Sequence, residues 1–279
     1  MRLATIRDGG TTRAVRLDGE EAVALDAPDV GEVLHWDGWR QRAEAAAGPP
    51  IPVAGLDYAP LVTRPDKVVC VGLNYRNHIL EMGRELPPFP TLFAKFRSAL
   101  IGAYDELVLP SVSDNVDWEA ELAVVVGAPV RNATADEAQA AIAGYSVIND
   151  VTLRDWQNRT MQWLQGKTFE GTSPLGPTLV TTDEAVTATG GFELSCTVDG
   201  EEMQHASTAD LLFGPVDLIA YISTIVTLEP GDVIATGTPS GVGHARRPPR
   251  YLRPGSDMVT TIVGIGECRN RCRAEHPAG

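Results

Sequence analysis

The sequence predicts an α+β fold in which strands outnumber helices and form a mixed β-sheet. Segments of strand character recur along the chain, for example at Ala120 to Val126, Glu193 to Val198 and Met258 to Ile265. Helical patterns are few, and they do not alternate regularly with the strands as they would in a parallel βαβ fold. No internal repeat or low-complexity tract interrupts the 279 residues.

The first 60 residues have the character of a small N-terminal α/β domain. Its predicted strands are Leu3 to Ile6, Thr11 to Leu17 and Glu21 to Leu25. A helical stretch from Asp29 to Ala47 follows, and the Pro-rich segment from Gly48 to Pro52 ends it. We therefore predict one domain over residues 1–60 and a larger one over residues 65–279.

The larger domain begins with a predicted buried strand that leads to Gly72. Further strand patterns fit Glu106 to Leu109 and the apolar run from Tyr145 to Asp150. The predicted helices are Asn77 to Met82, Ala135 to Ala143, Thr152 to Gln165 and Pro215 to Val226.

Composition and charge exclude several classes of partner. The net charge of −14, from 23 basic and 37 acidic residues, argues against nucleic acid and against an anionic membrane surface. No apolar run approaches the roughly 18 residues of a membrane span, and the first residues lack a signal-peptide core, so we expect a cytoplasmic protein. The four cysteines are scattered, which favours reduced, buried thiols.

Two glutamates begin one of the predicted strands. Glu119 and Glu121 are two residues apart, so on a strand their side chains point to the same face, about 7 Å apart. A third acid, Asp150, ends the apolar run that starts at Tyr145. Neighbouring buried carboxylates repel one another and are costly to desolvate unless a cation neutralises them.

These three carboxylates predict a metal site. Hard oxygen ligands favour Mg²⁺ or Mn²⁺, with Ca²⁺ as a further candidate, over zinc, which prefers His and Cys. On spacing alone an alternative is equally open, namely two solvent-exposed strand carboxylates and an aspartate that caps a helix.

Two nucleotide-binding signatures are incomplete. The segment Gly166-Lys167-Thr168 resembles the end of a phosphate-binding loop, but Met161 stands where that loop requires its first Gly. The Gly-rich segment from Thr236 to Gly243 lacks the spacing of a dinucleotide fingerprint. We interpret it as a turn that exposes hydroxyl and backbone N–H groups in a site.

Taken together, several short motifs resemble the fumarylacetoacetate hydrolase family. In chain order they are Val69 to His78, Leu92 to Lys95, Glu119 to Leu122, Ile148 to Gln157, Gly166 to Phe169, Gly231 to Gly243 and Gly264 to Glu267. Each motif is weak alone, but the ordered set is specific and spans roughly residues 65 to 270. Residues 1–60 resemble the small N-terminal domain of many bacterial members.

The resemblance implies a mixed β-sandwich roll around the active site of a homodimer. It also implies an enzyme that uses Mg²⁺, Mn²⁺ or Ca²⁺ and acts on a small 2-oxo acid or 2,4-diketo acid. Glu119, Glu121 and Asp150 match the positions of the family's metal ligands. The metal prediction from spacing and the resemblance therefore agree.

The resemblance further implies roles for catalytic and substrate-binding residues. His78 and Glu81 match a pair in hydrolytic members, in which the glutamate orients the histidine as a general base. Their spacing also places them on one face of a helix. Lys167 matches a lysine that contacts the substrate's oxygens. Gln157 and Thr238 match family positions that hydrogen-bond the substrate. Arg154 is a third predicted substrate-binding residue from its charge alone, because it could pair with a carboxylate; a surface position is the alternative.

On this basis we predict hydrolysis of the C–C bond of an acylpyruvate. The 2-oxo acid would chelate the metal. His78 would activate a water molecule, which attacks the 4-keto carbon. Lys167 would help stabilise the departing pyruvate enolate. Isomerisation of 2-hydroxyhepta-2,4-diene-1,7-dioate and decarboxylation of oxaloacetate need the same enolate, so both remain open. A non-catalytic metal- or ligand-binding protein on this scaffold is a more remote alternative.

Three neighbouring features complete these expectations. Phe96 follows Lys95 where many family members have Pro, which predicts an altered pocket wall. For Trp163 we expect a place in the aromatic core, with a place in the pocket wall as the alternative. The segment from Gly83 to Pro90 is a candidate hinge or lid over a bound ligand.

Overall fold

The computed structural model of the protein describes residues 1–81, 83, 85–185 and 190–275. Within these ranges the chain forms 18 strands and seven α-helices. The helices are α1 Val30–Leu34, α2 Trp39–Ala45, α3 Arg76–Glu81, α4 Ala135–Ala141, α5 Arg154–Gln157, α6 Leu164–Lys167 and α7 Pro215–Ser223. Across the described residues, every helix is too short or too polar to cross a membrane.

The strands carry most of the regular structure. They are β1 Arg2–Asp8, β2 Thr11–Asp18, β3 Glu21–Ala24, β4 Ile51–Pro52, β5 Val68–Gly72, β6 Thr91–Lys95, β7 Leu100–Ile101, β8 Leu107–Leu109, β9 Val116–Asp117, β10 Ala120–Val126, β11 Ile142–Asn149, β12 Thr152–Leu153, β13 Ser173–Thr181, β14 Glu193–Val198, β15 Glu201–Ser207, β16 Val233–Ala235, β17 Asp257–Ile262 and β18 Gly266–Ala274.

Most of these strands form two sheets. The larger has 11 strands in the order β4-β3-β2-β1-β13-β11-β10-β16-β5-β6, with β7 paired to β13 beside this path. The smaller has five strands in the order β15-β14-β17-β18-β8, and β9 pairs with β12 separately. Most pairs are antiparallel, but β16 with β5, β13 with β7 and β18 with β8 are parallel. This mixed pairing confirms the predicted fold class.

The central strand β10 faces three hydrophobic cores. Leu122 packs with Leu194 of β14 and Cys268 of β18, which places one core between the two sheets. Val124 lies on the same face farther along and belongs to the core under α4 and α7. Val125 points to the opposite face, which α1 and α2 cover. Because every residue of β10 is buried, its sequence is a nearly continuous apolar run.

The N-terminal segment extends the large sheet. Strand β1 pairs with β13, with Leu3 beside Leu179. The buried Thr5 hydroxyl donates to the Leu61 carbonyl and accepts the N–H of Val30. The three strands predicted here are β1 to β3, and the predicted helical stretch is divided into α1 and α2. The boundary of a separate domain near residue 60 stays a prediction.

The single helix predicted from Thr152 to Gln165 is wrong. Strand β12 occupies its start, and two helices of four residues, α5 and α6, follow. The chain folds back tightly here, because a Cβ on Gly166 would lie 2.4 Å from the backbone nitrogen of Gln157. This return brings Lys167 beside Asp150.

Other predicted elements differ mainly at their ends. Helix α4 begins with a capping box between Thr134 and Glu137 and stops two residues early, where β11 starts. Helix α3 ends at Glu81, and the predicted end of that helix, Met82, lies outside the described residues. All four cysteines are free and buried, as predicted.

Leu3→Ala tests whether the N-terminal segment is energetically coupled to the rest of the chain. Leu3 is fully buried in a core that it shares with Leu179 and Val125. Truncation should lower the free energy of unfolding by about 2–5 kcal/mol. Because the core is shared, denaturant unfolding should remain one transition with a lower midpoint.

Val263→Ala is the matched control, since Val263 is 65% exposed. A separate early transition in Leu3→Ala would show instead that residues 1–60 unfold as an independent domain.

Candidate active site

The candidate site lies at one end of the large sheet, where the ends of neighbouring strands lie side by side. Strands β10 and β11 are antiparallel, with Ala120 opposite Asn149, so the end of β11 lies beside the start of β10. Glu119 and Glu121 stand at that start, and Asp150 directly follows β11. Strand β16 is antiparallel to β10 and parallel to β5, so the segments that follow β16 and β5 also reach this end.

The three residues predicted to bind metal form a compact cluster. One carboxylate oxygen from each of Glu119, Glu121 and Asp150 lies within 4.8 Å of the other two. Their exposed fractions are 6%, 1% and 0%. The alternative of solvent-exposed strand carboxylates is therefore wrong.

Two buried lysines balance part of this negative charge. The Nζ atom of Lys167 lies 2.5 Å from Glu119 Oε2 and 2.9 Å from Asp150 Oδ2. Lys95 Nζ lies 2.9 Å from Asp150 Oδ1 and donates to the Lys167 carbonyl. Burial alone would lower the pKa of Lys167, but the Asp150 and Glu119 carboxylates outweigh it and raise this pKa. Burial would raise the pKa of Asp150, and the two lysines reverse that direction.

Glu121 forms no ion pair with any described cationic residue. Its carboxylate accepts the N–H of Gly237 at 2.7 Å. Burial, and then the charges of Asp150 and Glu119, raise the pKa of Glu121 well above its ordinary value. A divalent cation would supply the missing positive charge, and carboxylate oxygens suit Mg²⁺ or Mn²⁺. The residues at this cluster therefore fit a divalent metal ion.

Arg154 links the cluster to a fourth buried acid, Asp117. Its Nε donates to Asp117 Oδ2 at 2.7 Å, and its Nη1 lies 2.7 Å from Glu119 Oε1 and 3.0 Å from Gln157 Oε1. Burial alone would lower the pKa of Arg154, but Glu119 and Asp117 raise it. Its Nη2 is buried without a hydrogen-bond partner among the described residues. One charged donor thus remains available beside the cavity.

A cavity of about 250 Å³ opens over this network. Its polar lining residues are His78, Glu119, Glu121, Arg154, Gln157, Lys167, Thr238 and His244. The larger apolar side chains of its wall are Val71, Leu73, Phe93, Trp163 and Val242. Eight polar side chains thus face one small space with an apolar wall, as in a site for a small charged ligand.

The two members of the predicted catalytic pair are placed differently. His78 is half-buried on α3 and lines the cavity. Glu81 lies at the end of the same helix, is exposed and is not part of the lining. Its role in orienting His78 stays a prediction. The segment expected to form a lid includes Arg84, which lies outside the described residues, so that role also stays a prediction.

Trp163 lines the cavity, which is the alternative to the expected core position. Its ring meets Phe93 edge-on, with ring centroids 5.4 Å apart. A Cβ on Gly72 would lie 2.3 Å from the Trp163 ring, so this ring position requires glycine there. Phe96, which was expected to alter the pocket wall, is 55% exposed and is absent from the lining.

The predicted substrate-binding residues are held by other protein groups. The Thr238 hydroxyl donates to the Ala120 carbonyl at 3.1 Å and accepts from Gln204 Nε2 at 2.8 Å. The side-chain carbonyl of Gln157 is occupied by Arg154. Both side chains are therefore fixed beside the cavity, and their contacts with substrate stay predictions.

Sequence reasoning missed Asp117 and His244. Asp117 accepts the backbone N–H groups of Gly243 and His244 at 2.7 and 2.9 Å, in addition to Arg154. It thereby holds the Gly-rich segment at the rim of the cavity. Because Asp117 precedes Glu119 by two residues, the same alternation that identified the glutamates could have identified it.

Comparisons with known proteins agree with this arrangement. A family profile described as fumarylacetoacetate (FAA) hydrolase C-terminal matches residues 67–273. The rat protein named oxaloacetate tautomerase Fahd2a, mitochondrial, is 45% identical over 232 residues, or 83% of this chain and 74% of the relative.

Solved structures extend the likeness over nearly the whole chain. Fumarylacetoacetate hydrolase from Exiguobacterium antarcticum has a TM-score of 0.86 at 32% identity, covering 99% of this chain and 100% of that one. The 5-carboxymethyl-2-hydroxymuconate delta-isomerase from Mycobacterium smegmatis has a TM-score of 0.79 at 32% identity, with the same coverage.

The chain therefore belongs to the fumarylacetoacetate hydrolase family, as its motifs predict. The three relatives described above are named as enzymes: a tautomerase, a hydrolase and an isomerase. The rat relative's name places that protein in mitochondria. The cytoplasmic location and the homodimer expected for this chain stay predictions.

Glu121→Gln tests whether the acidic cluster holds a divalent cation. At a hundredfold excess over Kd, Mg²⁺ or Mn²⁺ should raise the free energy of unfolding of the wild type by about 3 kcal/mol. The variant should lose most of this gain, because it lacks one of three anionic ligands. Glu20→Gln, at an exposed turn outside the cavity, should keep it.

Without metal, the same variant should be at least as stable as the wild type at neutral pH. The raised pKa of Glu121 makes its ionised form unfavourable in the folded protein. The stabilising contribution of protonated Glu121 is fully present in acid and is lost as the pH rises toward the raised pKa. Glutamine does not ionise, so the variant has no such loss. Thermal unfolding with and without metal measures both effects, and a metal-independent Tm in the wild type would contradict the assignment.

Asp117→Ala tests the link between Arg154 and the rim. The substitution leaves a buried guanidinium without one of its two anionic partners, so it should lower the free energy of unfolding by about 3–5 kcal/mol. Asp114→Ala is the control, because the side chain of Asp114 is 98% exposed. Equal stability of the two variants in denaturant titration would show that the buried pair has no structural role.

Proposed function

We propose that the protein is a divalent-metal-dependent isomerase that interconverts the enol and keto forms of a small 2-oxo acid, with oxaloacetate as the leading candidate. The observation that carries this proposal is one cavity faced by Lys167, His78 and a buried acidic cluster suited to a metal. The names of the rat tautomerase and the mycobacterial isomerase support it.

The proposed reaction relocates one proton between the oxygen on C2 and the carbon C3. Glu119, Glu121 and Asp150 would hold the metal ion. When bound, Mg²⁺ or Mn²⁺ supplies Lewis-acid stabilisation of negative charge on the oxygens of a 2-oxo acid.

Lys167 and His78 have complementary roles in this proposal. Lys167 remains charged, because Asp150 and Glu119 raise its pKa, and its ammonium group stabilises negative charge on the 2-oxygen. In the direction of the ketone, protonated His78 donates a proton to C3 and the enol oxygen releases its own proton to solvent, from which His78 recovers the proton it gave up. The composition of the substrate is unchanged, so no water and no further reactant are consumed.

Arg154 and the apolar wall would orient the substrate. The unpartnered Nη2 of Arg154 is a charged donor for a substrate carboxylate. Phe93 and Trp163 form an apolar wall that limits the access of water. The small cavity and its cationic side chains thus suit a short, anionic substrate.

Hydrolysis of a 2,4-diketo acid is a second candidate function. The position of His78 in the cavity favours it, because a histidine there could activate a water instead of moving a substrate proton. Decarboxylation of oxaloacetate would use the same charge stabilisation with no attacking water. The three reactions differ in their products, so product identification distinguishes them.

The decisive assay follows the loss of enol oxaloacetate by its ultraviolet absorbance, with products identified by NMR. Mg²⁺ or Mn²⁺ should accelerate this loss, and keto oxaloacetate should be the sole product. His78→Ala should lower kcat by about 10²- to 10⁴-fold. His35→Ala, at an exposed position in the N-terminal segment, is the matched control.

Other products would redirect or overturn the proposal. Pyruvate with an equimolar carboxylic acid from an acylpyruvate, without enol turnover, would establish the hydrolase. Carbon dioxide from oxaloacetate would establish the decarboxylase. Metal binding without turnover of any of these acids would favour a binding protein.

A further inference from the structure

His244 lies at the rim of the candidate active site although none of the family motifs requires a histidine there. It follows the Gly-rich segment, is exposed and lines the same cavity as Lys167. Its position is therefore available to the part of a substrate that extends away from the acidic cluster.

The backbone of His244 is rigidly placed. Asp117 accepts the N–H groups of Gly243 and His244, and the same carboxylate accepts the Nε of Arg154. The turn is closely packed, since a Cβ on Gly243 would lie 1.8 Å from the Arg250 carbonyl oxygen. One buried acid thus fixes the rim relative to the floor of the cavity, as a recognition residue requires.

The His244 ring is oriented by Tyr251. Its Nδ1 lies 3.0 Å from the Tyr251 hydroxyl oxygen. Burial raises the pKa of Tyr251, so the phenol keeps its proton and can donate it to Nδ1. In the tautomer whose Nδ1 accepts the Tyr251 proton, the imidazole carries its own proton on Nε2. Nε2 has no hydrogen-bond partner among the described residues, so this N–H can donate to a ligand.

The rim around His244 is basic in an otherwise acidic chain. Residues 244–253 contain four arginines and no acid, whereas the whole chain has a net charge of −14. Two of the four are paired with acids from other segments, Arg250 with Glu201 and Arg253 with Asp114. Arg246 and Arg247 donate to backbone carbonyls, and neither forms an ion pair with a described carboxylate. The positive charges of Arg246 and Arg247 would attract anions toward the cavity mouth.

We propose that His244, oriented by Tyr251, is a specificity-determining residue that binds the distal carboxylate of a dicarboxylic 2-oxo acid. The site would thereby prefer diacids to 2-oxo acids with an apolar tail. This inference rests on the proposed function, because it assumes that the 2-oxo end of the substrate lies at the acidic cluster.

A matched pair of substrates isolates the distal carboxylate. Oxaloacetate and 2-oxobutanoate both have four carbons, but the second has a methyl group in place of the distal carboxylate. Exchange of the C3 protons in D₂O, followed by proton NMR with the Mn²⁺- or Mg²⁺-loaded enzyme, gives the same readout for both once the uncatalysed rates are subtracted.

His244→Leu should lower the preference for oxaloacetate, as the ratio of kcat/KM values, by about tenfold or more. The loss should lie mainly in KM for oxaloacetate, with little change for 2-oxobutanoate. Tyr251→Phe should change the ratio in the same direction by a smaller factor, because it removes only the orienting hydroxyl. His35→Leu should leave the ratio unchanged. An unchanged ratio in His244→Leu, or an equal loss for both acids, would overturn the inference.

A binding measurement separates this inference from the proposed reaction. Calorimetric titration of the metal-loaded protein with each acid compares their affinities without requiring turnover. If the wild type prefers the diacid and His244→Leu does not, His244 sets specificity even where no tautomerisation is found. If the wild type catalyses exchange but binds both acids equally, the reaction stands and the role of His244 is wrong.

Discussion

The central constraint on this structure is an excess of buried negative charge at one end of β10. Four carboxylates, from Asp117, Glu119, Glu121 and Asp150, are buried there with three cations, from Lys95, Arg154 and Lys167. The antiparallel pairing of β10 with β11 and with β16 brings these side chains together. In this arrangement the ends of β11 and β16, which are distant in sequence, both lie beside the start of β10. An excess of buried negative charge is costly in a low-dielectric interior, and a bound divalent cation would remove that excess.

The cations serve structure and chemistry together. Lys167 and Arg154 are held by the acids they neutralise, so their positive charge stands at the cavity before a substrate arrives. Preorganised charge of this kind stabilises developing negative charge without reorganisation. Asp117 extends the same network to the rim through the N–H group of His244. The same ion pairs thus hold this end of the sheet together and position the positive charges at the cavity.

Much of this site could be predicted from sequence, because strand alternation and apolar runs are local signals. The spacing of Glu119 and Glu121 placed both on one face of β10, and the ordered motifs identified the family. The region from Thr152 to Gln165 was mispredicted, because the tight contact of Gly166 with Gln157 is set by tertiary packing. His244 gave no signal, since its orienting partner and its place at the cavity exist only in the folded chain.

Anomalous diffraction from crystals grown with Mn²⁺ and oxalate, a mimic of the enolate end of a 2-oxo acid, tests the central claim most directly. We expect one manganese peak among Glu119, Glu121 and Asp150, with oxalate bound in the cavity beside Lys167. A peak elsewhere, or no peak while Lys167 still bridges Glu119 and Asp150, would contradict a metal-dependent site and leave the acids as a structural ion-pair network.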